Sequence, residues 1–136
     1  MSFHDIRKTR KRLSPEEIRL LIFILVGILV LLAANILLAR ILPGGEWLYL
    51  RWSGARAYLF ESVELYSTTI AERVQQLVYG RNAFSSEYGY VLNDPFFIIL
   101  LYSPLALIRD YALARALWML LSELALIGIV LLAFNL

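Results

Sequence analysis

The chain has 136 residues, 60% of them hydrophobic, with a mean hydropathy of +0.69 and a net charge of +2. Soluble domains are on average nearer half apolar, and here the apolar residues are gathered into long runs, which is typical of chains in lipid. The absence of cysteine excludes disulfides and thiolate metal sites, and the only histidine, His4, lies in a basic tail. We therefore expect no metal site and an all-α integral membrane protein.

Residues 1–18 form a basic tail ahead of the first apolar run. Its cationic cluster consists of Arg7, Lys8, Arg10, Lys11 and Arg12. Such a cluster can bind nucleic acid, but no aromatic residues are interleaved with it to stack on bases. The position favours a signal for membrane orientation that also contacts anionic lipid headgroups. We expect a cytoplasmic tail and no nucleic-acid partner.

Residues 19–42 are predicted to form the first transmembrane helix. Ser14, Pro15 and Glu17 make a helix start in which the serine and glutamate can cap each other's backbone N–H groups. The uncharged run 20–39 has twenty residues, and at 1.5 Å per residue it spans about 30 Å, the thickness of the hydrocarbon layer. This run is too long for the apolar part of a signal peptide.

Residues 43–94 are predicted to form an external loop module of short amphipathic helices. They hold four arginines against six carboxylates, a net charge of −2, whereas residues 1–19 have a net charge of +3. Because cytoplasmic loops are the richer in Lys and Arg, we expect this loop in the periplasm or outside the cell. Helices are expected over residues 54–65 and over residues 70–78, the second ended by Gly80 and lying on the membrane surface or packed on the spans.

Residues 95–136 are predicted to hold transmembrane helices 2 and 3, for two to three spans in total. The second is expected to begin near Tyr90 and cross the bilayer, with a re-entrant segment as the alternative. A short cytoplasmic turn at 109–115 would follow. Residues 116–136 then form an apolar run broken only by Glu123. The whole chain is thus expected to be a multi-pass protein of the cell membrane.

Glu123 is predicted to lie about 12 Å inside the third span, where an unpaired charge is unfavourable. It therefore requires a partner, and Tyr102 or Ser103 on the preceding span lies at a compatible depth. A proton or substrate site is the functional alternative, but we favour a hydrogen-bonded contact between helices. Asn35 in the first span is interpreted as the same kind of intramembrane polar contact.

Several short motifs occur in order between residues 45 and 118. They are Gly45-Glu46-Trp47, Trp52-Ser53-Gly54-Ala55-Arg56-Ala57, Tyr79-Gly80-Arg81, Asp94-Pro95-Phe96-Phe97, Tyr102-Ser103-Pro104-Leu105-Ala106 and Ala114-Arg115-Ala116-Leu117-Trp118. By their order and spacing, residues 20–132 resemble the N-terminal part of membrane glycosyltransferases of the GT-C fold, especially glycosyltransferase family 87 and its uncharacterised relatives.

The resemblance implies roles for three residues. In that family an acidic residue just after the first membrane helix is the general base, and Glu46 occupies its place. The family's sugar donor is carried on a polyprenyl phosphate, which Arg51 or Arg56 would bind. The alternative, which we favour, is that Glu46 is a solvated carboxylate at the interface and that the arginines extend towards the headgroups.

The family's proteins have many more spans, and their later spans build the donor cavity. Three helices and one loop do not readily enclose such a cavity. We therefore interpret the chain as a small non-catalytic accessory or structural subunit of a larger membrane complex, whose partners are the lipid bilayer and other membrane subunits and which needs no cofactor. One alternative is the N-terminal segment of an inverting glycosyltransferase that uses a polyprenyl-phosphate sugar. Another is a peripheral regulator that binds anionic lipid through its basic tail.

Overall fold

The computed structural model describes residues 13–134, and these form an all-helical chain. The five helices are α1 (Pro15–Ile41), α2 (Glu46–Phe60), α3 (Thr68–Tyr79), α4 (Phe96–Ala106) and α5 (Tyr111–Phe134). No strand occurs in this part of the chain, so the predicted all-α class is confirmed for it. By its internal contacts the chain divides at Leu31, within α1, into two compact units. The functional residues described below belong to the second unit.

The helices α1 and α5 are long and apolar enough to cross a membrane, by length and composition. They have 27 and 24 residues, or about 40 and 36 Å of helix. The start of α1 confirms the predicted mutual cap: the Ser14 backbone N–H donates to Glu17 Oε2 at 2.6 Å, and the Glu17 N–H donates to Ser14 Oγ at 3.2 Å. Most large apolar side chains of both helices are exposed.

The second apolar stretch differs from the predicted span. Its helix, α4, has 11 residues and is about 16 Å long, roughly half the thickness of the hydrocarbon layer. The helix begins after Pro95, and Tyr90, from which we expected the span to start, lies outside any helix with a φ of 49°. Within residues 13–134, two helices rather than three therefore have the length of a span.

Helices α2, α3 and α4 form a compact unit around one apolar core, here called the α2–α4 module (residues 46–106). The fully buried side chains at its centre are Leu50, Ile70, Val74 and Ile99. The first half of the module differs from the prediction, because the first helix begins at Glu46 and not near residue 54.

Helix α3 is amphipathic as predicted and ends at Gly80, which has the left-handed φ of 69° that favours glycine. Its apolar face carries Ile70 and Val74, one helical turn apart, and both are fully buried in the core of the module. The sequence predicts that this helix lies on the membrane surface or packs on the transmembrane spans. In the structure α3 packs against α2.

Candidate functional site

The N-terminal end of α5 contacts the C-terminal end of α1. The Arg115 guanidinium donates to the backbone carbonyls of Leu42 at 2.9 Å and Pro43 at 3.3 Å, and the Tyr111 hydroxyl donates to the Gly45 carbonyl at 2.5 Å. The last carbonyls of a helix have no partner within it, and a basic side chain there also interacts favourably with the helix dipole. Arg115 thus stabilises the end of α1.

Two further side-chain pairs join the same helices. Arg40 lies 3.7 Å from Asp110 in an exposed ion pair, and the Asn35 amide donates to Glu123 Oε2 at 2.8 Å. From one pair to the next the residue number increases on the α5 side, from 110 to 123, and decreases on the α1 side, from 40 to 35. These parts of the helices therefore run antiparallel. We call this set of contacts, between residues 35–45 and residues 110–123, the α1–α5 seam.

The seam brings the start of α5 back to the end of α1. The short link 107–110 between α4 and α5 lies at the same end of the seam as Pro43 and Gly45. The sequence prediction placed residues 109–115 on the opposite side of the membrane from residues 43–94, because it made the second apolar stretch a complete span. A helix of 11 residues returns the chain to the end where it started.

Glu46, the candidate general base, is the first residue of α2 and is half-buried. It lines a pocket of about 260 Å³ whose other walls include Leu77, Tyr111 and Arg115. The structure therefore brings the carboxylate together with a phenol and a guanidinium that we had not singled out. Only tertiary structure reveals them, because they lie more than sixty positions further along the chain.

Glycine is required at position 45 on two grounds. Its φ of +86° lies in the left-handed region, and a Cβ there would be 2.7 Å from the Tyr111 hydroxyl oxygen. A side chain would thus displace Tyr111 from the seam. Gly45 also sets the direction in which the chain enters α2 and places Glu46 in the pocket.

Arg51, one of the two candidate phosphate ligands, is bound within the α2–α4 module. Its guanidinium donates twice to the Asp94 carboxylate, at 2.8 and 3.1 Å, and lies 5.7 Å from the centre of the Tyr102 ring. The hydrogen bond to Asp94 is the main reason that the pKa of Arg51 is raised above its ordinary value. This fork-to-fork geometry ties the start of α4 to α2.

Arg56, the other candidate, has a different environment. One of its nitrogens donates to the Ala106 carbonyl at 2.8 Å, and its guanidinium lies 5.3 Å from the Trp52 ring and 5.6 Å from the Phe60 ring. It also lines a pocket of about 250 Å³ together with Arg109. Unlike Arg51, Arg56 therefore has a second cation as a neighbour and no carboxylate bonded to it among residues 13–134.

The other predicted polar contacts are arranged differently from the prediction. Asn35, only 2% exposed, is the residue that bonds Glu123. Tyr102 instead packs its ring against Trp118 at 5.0 Å, and Ser103 donates to the Leu100 carbonyl one turn earlier in its own helix. Tyr102 and Ser103 of α4 thus have partners other than Glu123.

An aromatic cluster that the sequence did not single out lies beside the entrance of α2. Trp47 contacts Tyr88 and Tyr90, with ring centres 5.4 and 5.9 Å apart. A bidentate ion pair between Arg81 and Glu87, both bonds 2.7 Å long, braces the loop that carries these tyrosines. These bonds lower the pKa of Glu87 to about 2. No short sequence pattern indicates this cluster, because Trp47 and the tyrosines are some forty residues apart.

The predicted lipid contacts of the basic tail lie outside the described residues. Within residues 13–134 no group of three histidine, aspartate or glutamate side chains is placed to hold a metal ion. Comparison of the chain with family models, curated proteins and solved structures finds no match. The proposals below therefore depend on the geometry and on the sequence.

Proposed function

We propose that this chain is a non-catalytic accessory subunit of a membrane complex, with α1 and α5 crossing the bilayer in opposite directions. The observation that carries the proposal is the exposed apolar surface of the two long helices. Apolar patches of this extent belong against lipid or against a partner. The large apolar side chains most exposed on α5 are Leu126, Ile129, Leu132 and Phe134, and on α1 they are Leu20, Phe23, Val30 and Ile41.

The polar contacts of the seam suit a membrane environment. Lipid tails remove the hydrophobic drive for two apolar helices to associate, so hydrogen bonds and close packing must hold them together. Asn35 and Glu123 supply one such bond within otherwise apolar helices. Arg115, Arg40 and Asp110 lie at the end of the seam, where a side chain can reach the water layer.

The charge bias orients the proposed hairpin. The more basic N-terminal segment belongs in the cytoplasm, and residues 43–94 belong in the periplasm or outside the cell. Since the link 107–110 lies at the same end of the seam as Pro43, it belongs on that outer side too. The end of α5 then returns to the cytoplasmic side.

The internal contacts of the α2–α4 module favour the accessory interpretation over catalysis. Arg51, one of the two side chains that would bind a polyprenyl-phosphate sugar, is bound to the Asp94 carboxylate instead. It thus helps to hold the module together. The partners that we propose are the lipid bilayer and other membrane subunits that cover α1 and α5.

Labelling of single cysteines tests the proposed topology, since the natural chain has no cysteine. We expect an impermeant thiol reagent on intact cells to label Ser85→Cys and Asp110→Cys but not Ser2→Cys. Labelling of Ser2→Cys and Asp110→Cys together, without Ser85→Cys, would show that α4 crosses the membrane. If carbonate extraction released the chain into the soluble fraction, with all three cysteines open to the reagent, the membrane proposal would be contradicted.

Purification through this chain in a mild detergent tests the subunit proposal. We expect a particle much heavier than the 15.6 kDa chain with detergent, containing the same other membrane proteins in each preparation. Recovery of the chain alone from native membranes would contradict an accessory role.

A second candidate function follows from the pocket that Glu46 shares with Tyr111 and Arg115. Under this alternative the chain is the N-terminal segment of an inverting glycosyltransferase of the GT-C type, and Glu46 takes the proton from the acceptor hydroxyl. Tyr111 and Arg115 would then line the same site beside the acceptor.

Sugar transfer from polyprenyl-phosphate sugars distinguishes the two functions. We expect no turnover by the chain, and equal results for the wild type and Glu46→Gln, which keeps the shape but cannot accept the proton. Turnover that Glu46→Gln abolishes and Glu72→Gln, an exposed control on α3, retains would establish the enzyme and overturn the accessory role.

A further inference from the structure

The pocket beside Arg56 combines two cations with two exposed apolar side chains. Its walls are Arg56, Phe60, Leu107 and Arg109, and its volume is about 250 Å³. Phe60 is 56% exposed and Leu107 is 68% exposed. The site therefore presents guanidinium donors next to a surface that water solvates poorly, which suits a ligand with an anionic head and a hydrocarbon body.

The charges around this pocket favour an anion. Among the described residues no carboxylate lines this pocket. A second pocket that Arg56 also lines contains Glu61 together with its partner Arg73, and Asp110, next to Arg109, has a partner as well. Glu61 accepts from Arg73 at 2.6 Å, and Asp110 lies 3.7 Å from Arg40. Arg56 has five N–H donors and donates one of its nitrogens to Ala106, so further donors remain for phosphate oxygens.

The position of the pocket favours a lipid over a soluble anion, and this step rests on the proposed function. Arg109 is next to Asp110, which pairs with Arg40 at the end of α1. If α1 crosses the bilayer, its end at Ile41 marks the boundary between hydrocarbon and water. Phosphates of the lipid headgroups lie at that boundary, and the chains of the same lipids lie where Phe60 and Leu107 are exposed.

The apolar surface continues from the pocket along α4. Phe97 and Leu101 are four residues apart, so they lie on one face of the helix, and both are about two-thirds exposed. Helix α4 carries no charged residue, so the face that the module leaves uncovered suits hydrocarbon surroundings. We propose that the pocket binds the phosphate of an anionic phospholipid through Arg56 and Arg109, and that α4 lies among the acyl chains of the same leaflet.

The test compares lipid preference in variants of the full chain. The chain is reconstituted into vesicles of phosphatidylcholine with increasing phosphatidylglycerol, and quenching of tryptophan fluorescence by brominated forms of each lipid gives their relative affinity. An arginine near a membrane surface contributes about 1 kcal/mol towards anionic lipid, or about fivefold. We expect Arg109→Gln to reduce the preference for phosphatidylglycerol about fivefold, and Arg56→Gln to reduce it similarly.

Arg81→Gln is the matched control, since Arg81 is bound to Glu87 and does not line the pocket. It should keep the wild-type preference, and the basic tail contributes equally in every variant. Arg109→Gln is the decisive change because Arg109 is exposed and its replacement leaves the core intact. An unchanged preference in Arg109→Gln would overturn the proposal.

Three further outcomes separate the possible ligands and the two proposals. If 20 mM inorganic phosphate abolished the phosphatidylglycerol preference, and chloride of equal ionic strength did not, the ligand of the pocket would be a soluble phosphate. The proposal of a lipid ligand would then be overturned. A wild-type chain that enters vesicles without preferring phosphatidylglycerol would overturn this inference alone. A wild-type chain that stays outside vesicles of every composition would overturn the proposed membrane role and this inference with it.

Discussion

The α1–α5 seam and the core of the α2–α4 module are stabilised by different kinds of contact. In the seam the helices are joined by hydrogen bonds, from Asn35 to Glu123 and from Arg115 to the Leu42 carbonyl just after the end of α1. In the module, Leu50, Ile70 and other apolar side chains are fully buried. The difference follows from the surroundings that we propose. Burial of apolar area stabilises a fold in water, whereas in lipid it adds little and a few polar contacts select the helix partner.

The largest effect is expected in the core of the module. Leu50 is 1% exposed, and Leu50→Ala removes three carbons and leaves a cavity, so we expect a loss of about 2–5 kcal/mol of unfolding free energy. Leu77→Ala on α3 is the control, because Leu77 is 52% exposed and should change stability by less than about 0.5 kcal/mol. Chemical unfolding in detergent measures both. Equal effects would mean that the module is not held by this core.

The next effect tests the entrance to α2, where seam and module meet. Gly45→Ala adds a Cβ 2.7 Å from the Tyr111 hydroxyl at a φ of +86°, whereas Gly80→Ala meets only the positive φ of +69° with open space around it. We expect about 1 kcal/mol for Gly80→Ala from backbone strain alone, and a larger loss for Gly45→Ala. Thermal unfolding of the two variants gives the comparison. A smaller loss at position 45 would show that Tyr111 does not occupy the observed position in solution.

The bond between Asn35 and Glu123 tests the seam itself. Glu123→Gln keeps an oxygen that can accept from the Asn35 amide and should be tolerated, whereas Glu123→Leu removes the bond. Interhelical hydrogen bonds in membranes contribute about 0.6–2 kcal/mol, and we expect Glu123→Leu to lose that amount, measured as stability of the folded chain in detergent. Asn35→Leu should lose a similar amount, and the double variant little more.

The two Glu123 variants also separate a structural role from proton transfer. Gln cannot titrate, so a proton site would be damaged as severely by Gln as by Leu. Equal loss of a complex's activity with normal assembly in both variants would establish the functional alternative.

The smallest effect concerns pH and the loop that carries Tyr88 and Tyr90. The pKa of Glu87 is about 2 in the folded chain against an ordinary value of 4.5, with the Arg81 hydrogen bond as the first cause and the Phe84 backbone N–H as the second. A lowered pKa stabilises the folded state above about pH 4.5, and this contribution is lost as the pH falls through about 2.

In Arg81→Gln the pKa of Glu87 should rise part of the way towards its ordinary value, since the bond from Phe84 remains. Titration of the Glu87 carboxyl carbon by NMR in both proteins measures the change. An unaltered pKa would show that the ion pair does not form in solution.

Local patterns sufficed for the features that depend on neighbouring residues. The cap at Ser14, the apolar lengths of α1 and α5 and the end of α3 at Gly80 follow from composition, periodicity and backbone preference within a few turns of helix. Such preferences act through contacts between residues close in the chain, so they can be read without knowledge of the fold. The same reasoning placed the start of α2 about eight residues too late, since Gly45 starts the helix without a side-chain cap.

Only the tertiary structure decided which distant residues meet. The sequence showed that Glu123 needs a partner but not that the partner is Asn35, and it left Arg51 and Arg56 equivalent although Asp94 binds just one of them. It also gave the apolar stretch after Pro95 the appearance of a span. The length of the helix in such a stretch depends on where the chain packs next, and here the bonds from Arg115 and Tyr111 return it to the end of α1. Those contacts join residues about seventy positions apart, and no local preference encodes them.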